Sequence, residues 1–100
     1  MAKTSYLVLK SPHEQSPSKM ISRLSSKEES TIILVEDGVY HAILGEACEE
    51  IKRCANEILV SREDLLARGF SDADLKCGKA VEYGEIVDSI MELTERTVTL

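Results

Sequence analysis

A thiol is the side chain that acts as a nucleophile near neutral pH with the least help, and the chain carries three: Cys48, Cys54 and Cys77. They form no recognisable site. Cys48 and Cys54 have five residues between them, against about two to four in a zinc-binding pair, so no metal is expected. Glu36-Asp37 and Glu63-Asp64 are adjacent carboxylates of the kind that bind a cation or divide acid and base work. Each pair also has an ordinary structural use. Asp37-Gly38 is turn chemistry and Asp37 can cap a following helix, while acids in a first helical turn complement its dipole. His13 and His41 are residues that can act in proton transfer, but no Ser or Cys is paired with either, and both read as solvated loop histidines. The glycines Gly38, Gly45, Gly69, Gly78 and Gly84 fall into no phosphate-cradling spacing. No catalytic residue and no cofactor is expected from these types alone.

The elements that must position these groups come from the apolar pattern. Tyr6–Leu9 and Thr31–Val35 are continuous rather than alternating runs, which is how strands covered on both faces read. Ile58–Val60 is a third strand, Ala80–Tyr83 a weaker fourth, and Thr97–Leu100 a short fifth at an edge. Between them, Ser16 or Ser18 with Pro17 opens a brief helix with Met20, Ile21 and Leu24 on one face. A second helical stretch carries Val39, Ile43, Ala47, Ile51 and Cys54 at three- and four-residue steps, with Gly45 expected to break or kink it. Ser61 caps a third helix over Arg62–Arg68, which Gly69 terminates in the left-handed conformation. Asp72–Leu75 adds a further turn. The last helix, Gly84–Leu93, is expected to bury Ile86, Val87, Ile90 and Met91. Ser16–Ser30 holds six serines in fifteen residues and reads as a solvated helix flank.

Alternating strands and helices predict an α/β fold: a single-domain three-layer sandwich over residues 1–100, with a parallel sheet of four to five strands and helices on both faces. Ligands collect at the carboxyl ends of such strands, here Lys10–His13, Glu36–Tyr40, Ser61–Asp64 and Tyr83–Glu85. Cys54 and Cys77 fall at the opposite edge and Cys48 mid-helix, so structural cysteines are expected. A Cys54–Cys77 bridge is conceivable if the third and fourth strands are neighbours.

Composition excludes further classes. Twelve basic and eighteen acidic residues give a net charge of −6, shared equally between the two halves. Such a chain is repelled by phosphate, so no direct nucleic-acid partner is expected. The longest apolar runs are four residues, far short of the about 20 of a membrane span or the roughly 7–15 of a secretory signal. A reduced, cytoplasmic protein is expected.

Ser11-Pro12 after the first strand, I-L-V-E-D-G-V-Y at Ile33–Tyr40, R-E-D-L-L-A-R-G at Arg62–Gly69 and V-E-Y-G-E-I-V-D at Val81–Asp88 together resemble the DsrH/TusB family, from about Tyr6 to Met91. The resemblance implies a five-stranded parallel sheet of order 4-3-2-1-5. It also implies membership of a sulfur-relay complex of the TusBCD or DsrEFH type. The partners would be homologous TusC/TusD- or DsrF/DsrE-like subunits, and indirectly TusA- and TusE/DsrC-like sulfur carriers. The work would be 2-thiolation of transfer-RNA wobble uridine, or sulfur oxidation. The family's carrier subunits keep their cysteine after the third strand, where this chain has Ser61 and Arg62. Some members have another in the first helix, and Gln15–Leu24 contains none. The resemblance therefore implies an accessory subunit, with Glu36, Asp37, Gly38, Tyr40, Ser61, Arg62, Glu63 and Asp64 as interface or site-lining candidates. Two alternatives stay open: a persulfide-carrying sulfurtransferase using Cys48 or Cys77, and a stand-alone homo-oligomeric binder of a small ligand at Glu36–Tyr40.

Overall fold

Five short apolar runs form five parallel strands in the computed structural model, which describes residues 3–14, 16–93 and 95–100. They are β1 (Thr4–Val8), β2 (Ser30–Leu34), β3 (Glu57–Ser61), β4 (Lys79–Val81) and β5 (Arg96–Thr99). Their order is β4-β3-β2-β1-β5, with every neighbouring pair parallel. Strand periodicity divides the side chains between two layers. Tyr6, Val8, Ile32, Leu34, Ile58, Val60 and Ala80 face one layer, and Ile33, Leu59 and Val81, with Leu7, face the other. Burial on both faces is why these runs lack polar alternation.

The first layer is covered by α1 (Ser18–Leu24), α2 (Tyr40–Ile43), α3 (Gly45–Lys52) and α4 (Arg62–Ala67), which contribute Ile21, Ala42, Ile51 and Leu65. The second is covered from α5 (Tyr83–Asp88) and the π-helical turn Ser89–Leu93, through Ile86 and Ile90.

Four helical expectations change. In α1 only Ile21 is buried; Met20 and Leu24 are each 45% exposed, because seven residues reach the sheet through one position. The second helical stretch breaks at Leu44, whose backbone is extended, and Gly45 instead opens α3. In α5, Ile86 and the following Ser89 are buried while Val87 and Met91 face solvent. Asp37 caps nothing and instead accepts from Arg68. The expected cap at Ser61 is present: its Oγ accepts the Asp64 N–H at 3.3 Å, and Gly69 closes α4 at φ +83°.

The serine-rich stretch has a definite use. Tyr6 is fully buried and its hydroxyl lies 2.7 Å from Ser25 Oγ. Ser25 Oγ in turn meets Ser30 Oγ, which donates to the Ser26 carbonyl at 2.7 Å. Each hydroxyl has one proton, so the chain runs Tyr6 to Ser25 to Ser30 to Ser26, and satisfies a phenol that would otherwise be costly to bury.

The loop after β2 crosses the end of β1. Val35 N–H donates to the Val8 carbonyl at 3.2 Å, and a Cβ added to Gly38 would lie 1.9 Å from that oxygen. Gly38→Ala is expected to cost about 2 kcal/mol or more, since only backbone can yield. Gly45→Ala meets open space and is expected to be neutral or stabilising by up to about 1 kcal/mol. Urea unfolding of the two variants side by side checks the contrast.

Candidate functional site

The carboxyl ends of β2, β3 and β4 converge on one carboxylate. Ser61 ends β3 fully buried and caps α4, which sets Asp64 in the first helical turn. From there Asp64 Oδ2 accepts the Glu36 N–H at 2.9 Å and the Tyr83 hydroxyl at 2.8 Å. Arg68 Nη1 stands 3.9 Å from Oδ1. Burial pushes the Asp64 carboxyl up, but the Glu36 N–H, the Tyr83 and Ser61 hydroxyls and the Arg68 charge outweigh it and hold it below its ordinary value. The same hydrogen bond, with some help from burial, raises the Tyr83 phenol.

Glu36 is in the left-handed region at φ +50°, a conformation costing a non-glycine residue roughly 1 kcal/mol or more. Asp64 holds its amide there. Arg68 braces the same loop, donating from Nε to Asp37 Oδ1 at 2.9 Å and from Nη1 to the Asp64 carbonyl at 3.2 Å. Arg62 ties β4 down through Asp72 (3.0 Å), Glu82 and the Ala80 carbonyl (3.2 Å), and the two carboxylates raise its already high pKa.

The structure thus brings together Glu36, Asp37, Ser61 and Asp64, with Glu63 accepting the Tyr83 N–H at 3.4 Å beside them, while Arg62 turns to Asp72 and Glu82. Gly38 lies beneath them against β1. Tyr40 turns away and meets Phe70 edge-on, with ring centroids 5.5 Å apart. Sequence reasoning missed Arg68 and the role of Tyr83, although both stand inside motifs it had marked, R-E-D-L-L-A-R-G and V-E-Y-G-E-I-V-D.

His41 is not a solvated histidine. It is 2% exposed, and its Nε2 lies 3.1 Å from the Lys10 carbonyl. A carbonyl only accepts, so Nε2 carries the proton. Burial lowers its pKa, with the Lys10 carbonyl and the Glu50 charge opposing. It lines an open hollow of about 440 Å³ with His13, Ser16, Leu44, Glu46 and Glu50. The hollow is lined from the chain after β1, from α2 and from α3, and by none of residues 36–40.

The cysteines pair as Cys48–Cys77, with Cα atoms 6.1 Å apart, rather than as Cys54–Cys77. This also corrects the expectation of a fully reduced set. Cys48 faces inward from α3 toward the turn before β4, whereas the Cys54 thiol points to the Ile51 carbonyl at 3.4 Å. Burial, with the nearby Glu50 charge, pushes the Cys54 thiol up, away from reactivity. Among the described residues, no group of three or more His, Cys, Asp or Glu is placed to hold a metal ion, and no helix is long and apolar enough to cross a membrane.

An all-parallel sheet of order β4-β3-β2-β1-β5 with helices on both faces defines an α/β protein of the DsrE/DsrH-like fold. Residues 10–96 match the family model described as DsrH like protein, and the chain belongs to that family. It is also similar to protein Tm0979 from Thermotoga maritima, solved in solution by NMR. That likeness has 28% sequence identity and a TM-score of 0.65, covering 87% of this chain and 90% of that one. No curated protein matches it. Membership of the family implies a subunit of a sulfur-relay complex.

The lowered Asp64 pKa has a defined consequence. A carboxyl titrating lower folded than unfolded stabilises fully above the ordinary carboxylate range, about pH 4, and loses that contribution as the pH falls toward its folded value. Asp64→Ala is expected to lose about 1–3 kcal/mol at neutral pH and to flatten the acid limb of stability below about pH 4. Denaturant titrations across that range check both; an unchanged acid limb would mean that Asp64 does not anchor the loop.

Proposed function

We propose that this chain is a non-catalytic accessory subunit of a sulfurtransferase (sulfur-relay) complex in the cytoplasm, assembled with homologous TusC/TusD- or DsrF/DsrE-like subunits. Sulfur passes between those partners and TusA- and TusE/DsrC-like carriers without resting here. The observation that carries this reading is Ser61. The resemblance puts a carrier cysteine at this place, and here it is a serine, 0% exposed, whose oxygen already caps α4.

Two further facts support it. The chain's own thiols are joined to each other (Cys48 and Cys77) or buried (Cys54). The exposed groups at the carboxyl edge, Glu36, Asp37 and Glu63, are acidic and would repel a sulfur anion held beside them. With Arg62 and Asp64 they form the edge proposed to face a partner subunit, which Gly38 beneath and Tyr40, turned to Phe70, shape from behind. Transfer-RNA 2-thiolation is the reading favoured here, with sulfur oxidation as the alternative.

The test is co-expression with the DsrE- and DsrF-like chains of the same organism, exposure to a persulfide donor, and intact-mass spectrometry. The added sulfur mass is expected on a partner and not on this chain. Replacing Cys48, Cys54 and Cys77 with serine is expected to leave assembly and transfer intact. Stability should fall by about 2–4 kcal/mol for the lost bridge, and further at Cys54. Sulfur on Cys48 or Cys77 would instead make this chain a carrier. A homo-oligomer that ignores the partners would favour the stand-alone binder of a small ligand at Glu36–Tyr40.

A further inference from the structure

The two faces of the sheet are covered unequally. Residues of α1 to α4 pack on one, whereas the other is reached from α5 and the π-helical turn. On that second face Leu7, Val35 and Ile90 stay only partly buried. The outer side of the same helical stretch is apolar at four-residue steps. Tyr83 is 44% exposed, Val87 50% and Met91 77%. Exposed apolar side chains aligned on one side of a helix and rimmed by polar residues are the pattern of a protein–protein interaction surface.

The charge around this stripe identifies its occupant. From residue 80 to residue 95 there is no Lys or Arg, while Glu82, Glu85, Asp88, Glu92 and Glu95 are all acidic. Glu82 is engaged by Arg62. Among the described residues, Glu85, Asp88, Glu92 and Glu95 are exposed and make no ion pair. A second copy would set these carboxylates against their own counterparts across a two-fold axis, which is repulsive. A partner with an apolar patch rimmed by Lys and Arg has the opposite, complementary charge.

We propose that the α5 stripe, Tyr83, Val87 and Met91 with its acidic flank, is the docking surface for a basic-rimmed apolar face on one of the homologous partner subunits. This rests on the relay-subunit reading above and adds where and by what chemistry the partner binds. Tyr83 also touches the carboxyl edge through Asp64, so a partner seated on the stripe lies next to that edge.

The test uses the full chain with its DsrE- and DsrF-like partners and two variant sets on exposed positions, Val87→Glu with Met91→Glu, and Glu85→Lys with Asp88→Lys and Glu92→Lys. Binding is followed by titration calorimetry at low and high salt, and folding by melting temperature. The stripe variant is expected to weaken binding by about tenfold or more with an unchanged melting temperature. The charge-reversed set is expected to weaken it at low salt and to lose its salt dependence. If the parent binds its partners and both variants bind as well as the parent, the docking surface is wrong while the relay-subunit reading stands. If the parent binds neither partner, the relay-subunit reading fails and this proposal with it. A parent homodimer in sedimentation that the stripe variant dissolves would overturn the assignment of the occupant.

Discussion

One carboxylate holds the working edge of this fold together. A parallel sheet sends the chain out at the carboxyl end of each strand, and nothing in the sheet itself fixes where those exits go. Asp64 fixes them here. It is placed by the Ser61 cap after β3, receives the strained Glu36 amide after β2 and receives the Tyr83 hydroxyl after β4. The cost of a left-handed Glu36 is offset because its amide meets an ionised acceptor, a stronger bond than a neutral one. Arg68 then closes the arrangement from the far end of α4.

That completeness bears on function. A general base or a nucleophile needs an uncommitted lone pair and a changing partner. Asp64 Oδ2 is held by the Glu36 amide and the Tyr83 hydroxyl while Oδ1 faces the Arg68 charge, and its lowered pKa runs opposite to that of a base poised near neutrality. Arg62, which would be the natural anion clamp, is spread over Asp72, Glu82 and a carbonyl. The edge is built to keep a shape. This is the property an accessory subunit needs beside a partner that does the chemistry.

How much of this was legible in the sequence depended on range. β1, β2 and β3 were legible because burial on both faces leaves a local signature, an unbroken apolar run. Ser61 and Gly69 were legible because a cap and a left-handed terminator are decided within four residues. The Glu36-Asp37 and Glu63-Asp64 pairs could be marked as site candidates, but not the link between them, since it spans 28 residues. The same distance problem hid His41 against Lys10, Cys48 against Cys77 and Tyr6 against the serines. Each is a residue whose partner lies on a neighbouring element. The break at Leu44 rather than Gly45 has another cause: propensity marks glycine as the weak point, yet a glycine at a helix start costs little, and the turn was free to fall one residue earlier.

The buried side of α5 departs from its apolar spacing. Ile86, Val87, Ile90 and Met91 fit one helical stripe by spacing, but spacing alone does not say which apolar positions face inward. Ser89, three residues after Ile86, shares its inward face, whereas Val87 and Met91 lie one step round the helix and stay outside. A segment that buries a serine and exposes a methionine is badly arranged for a monomer and well arranged for a protein whose second face is completed by something else. The locked edge and the unfinished face are both in keeping with the accessory role proposed above, in which the chain contributes geometry and surface.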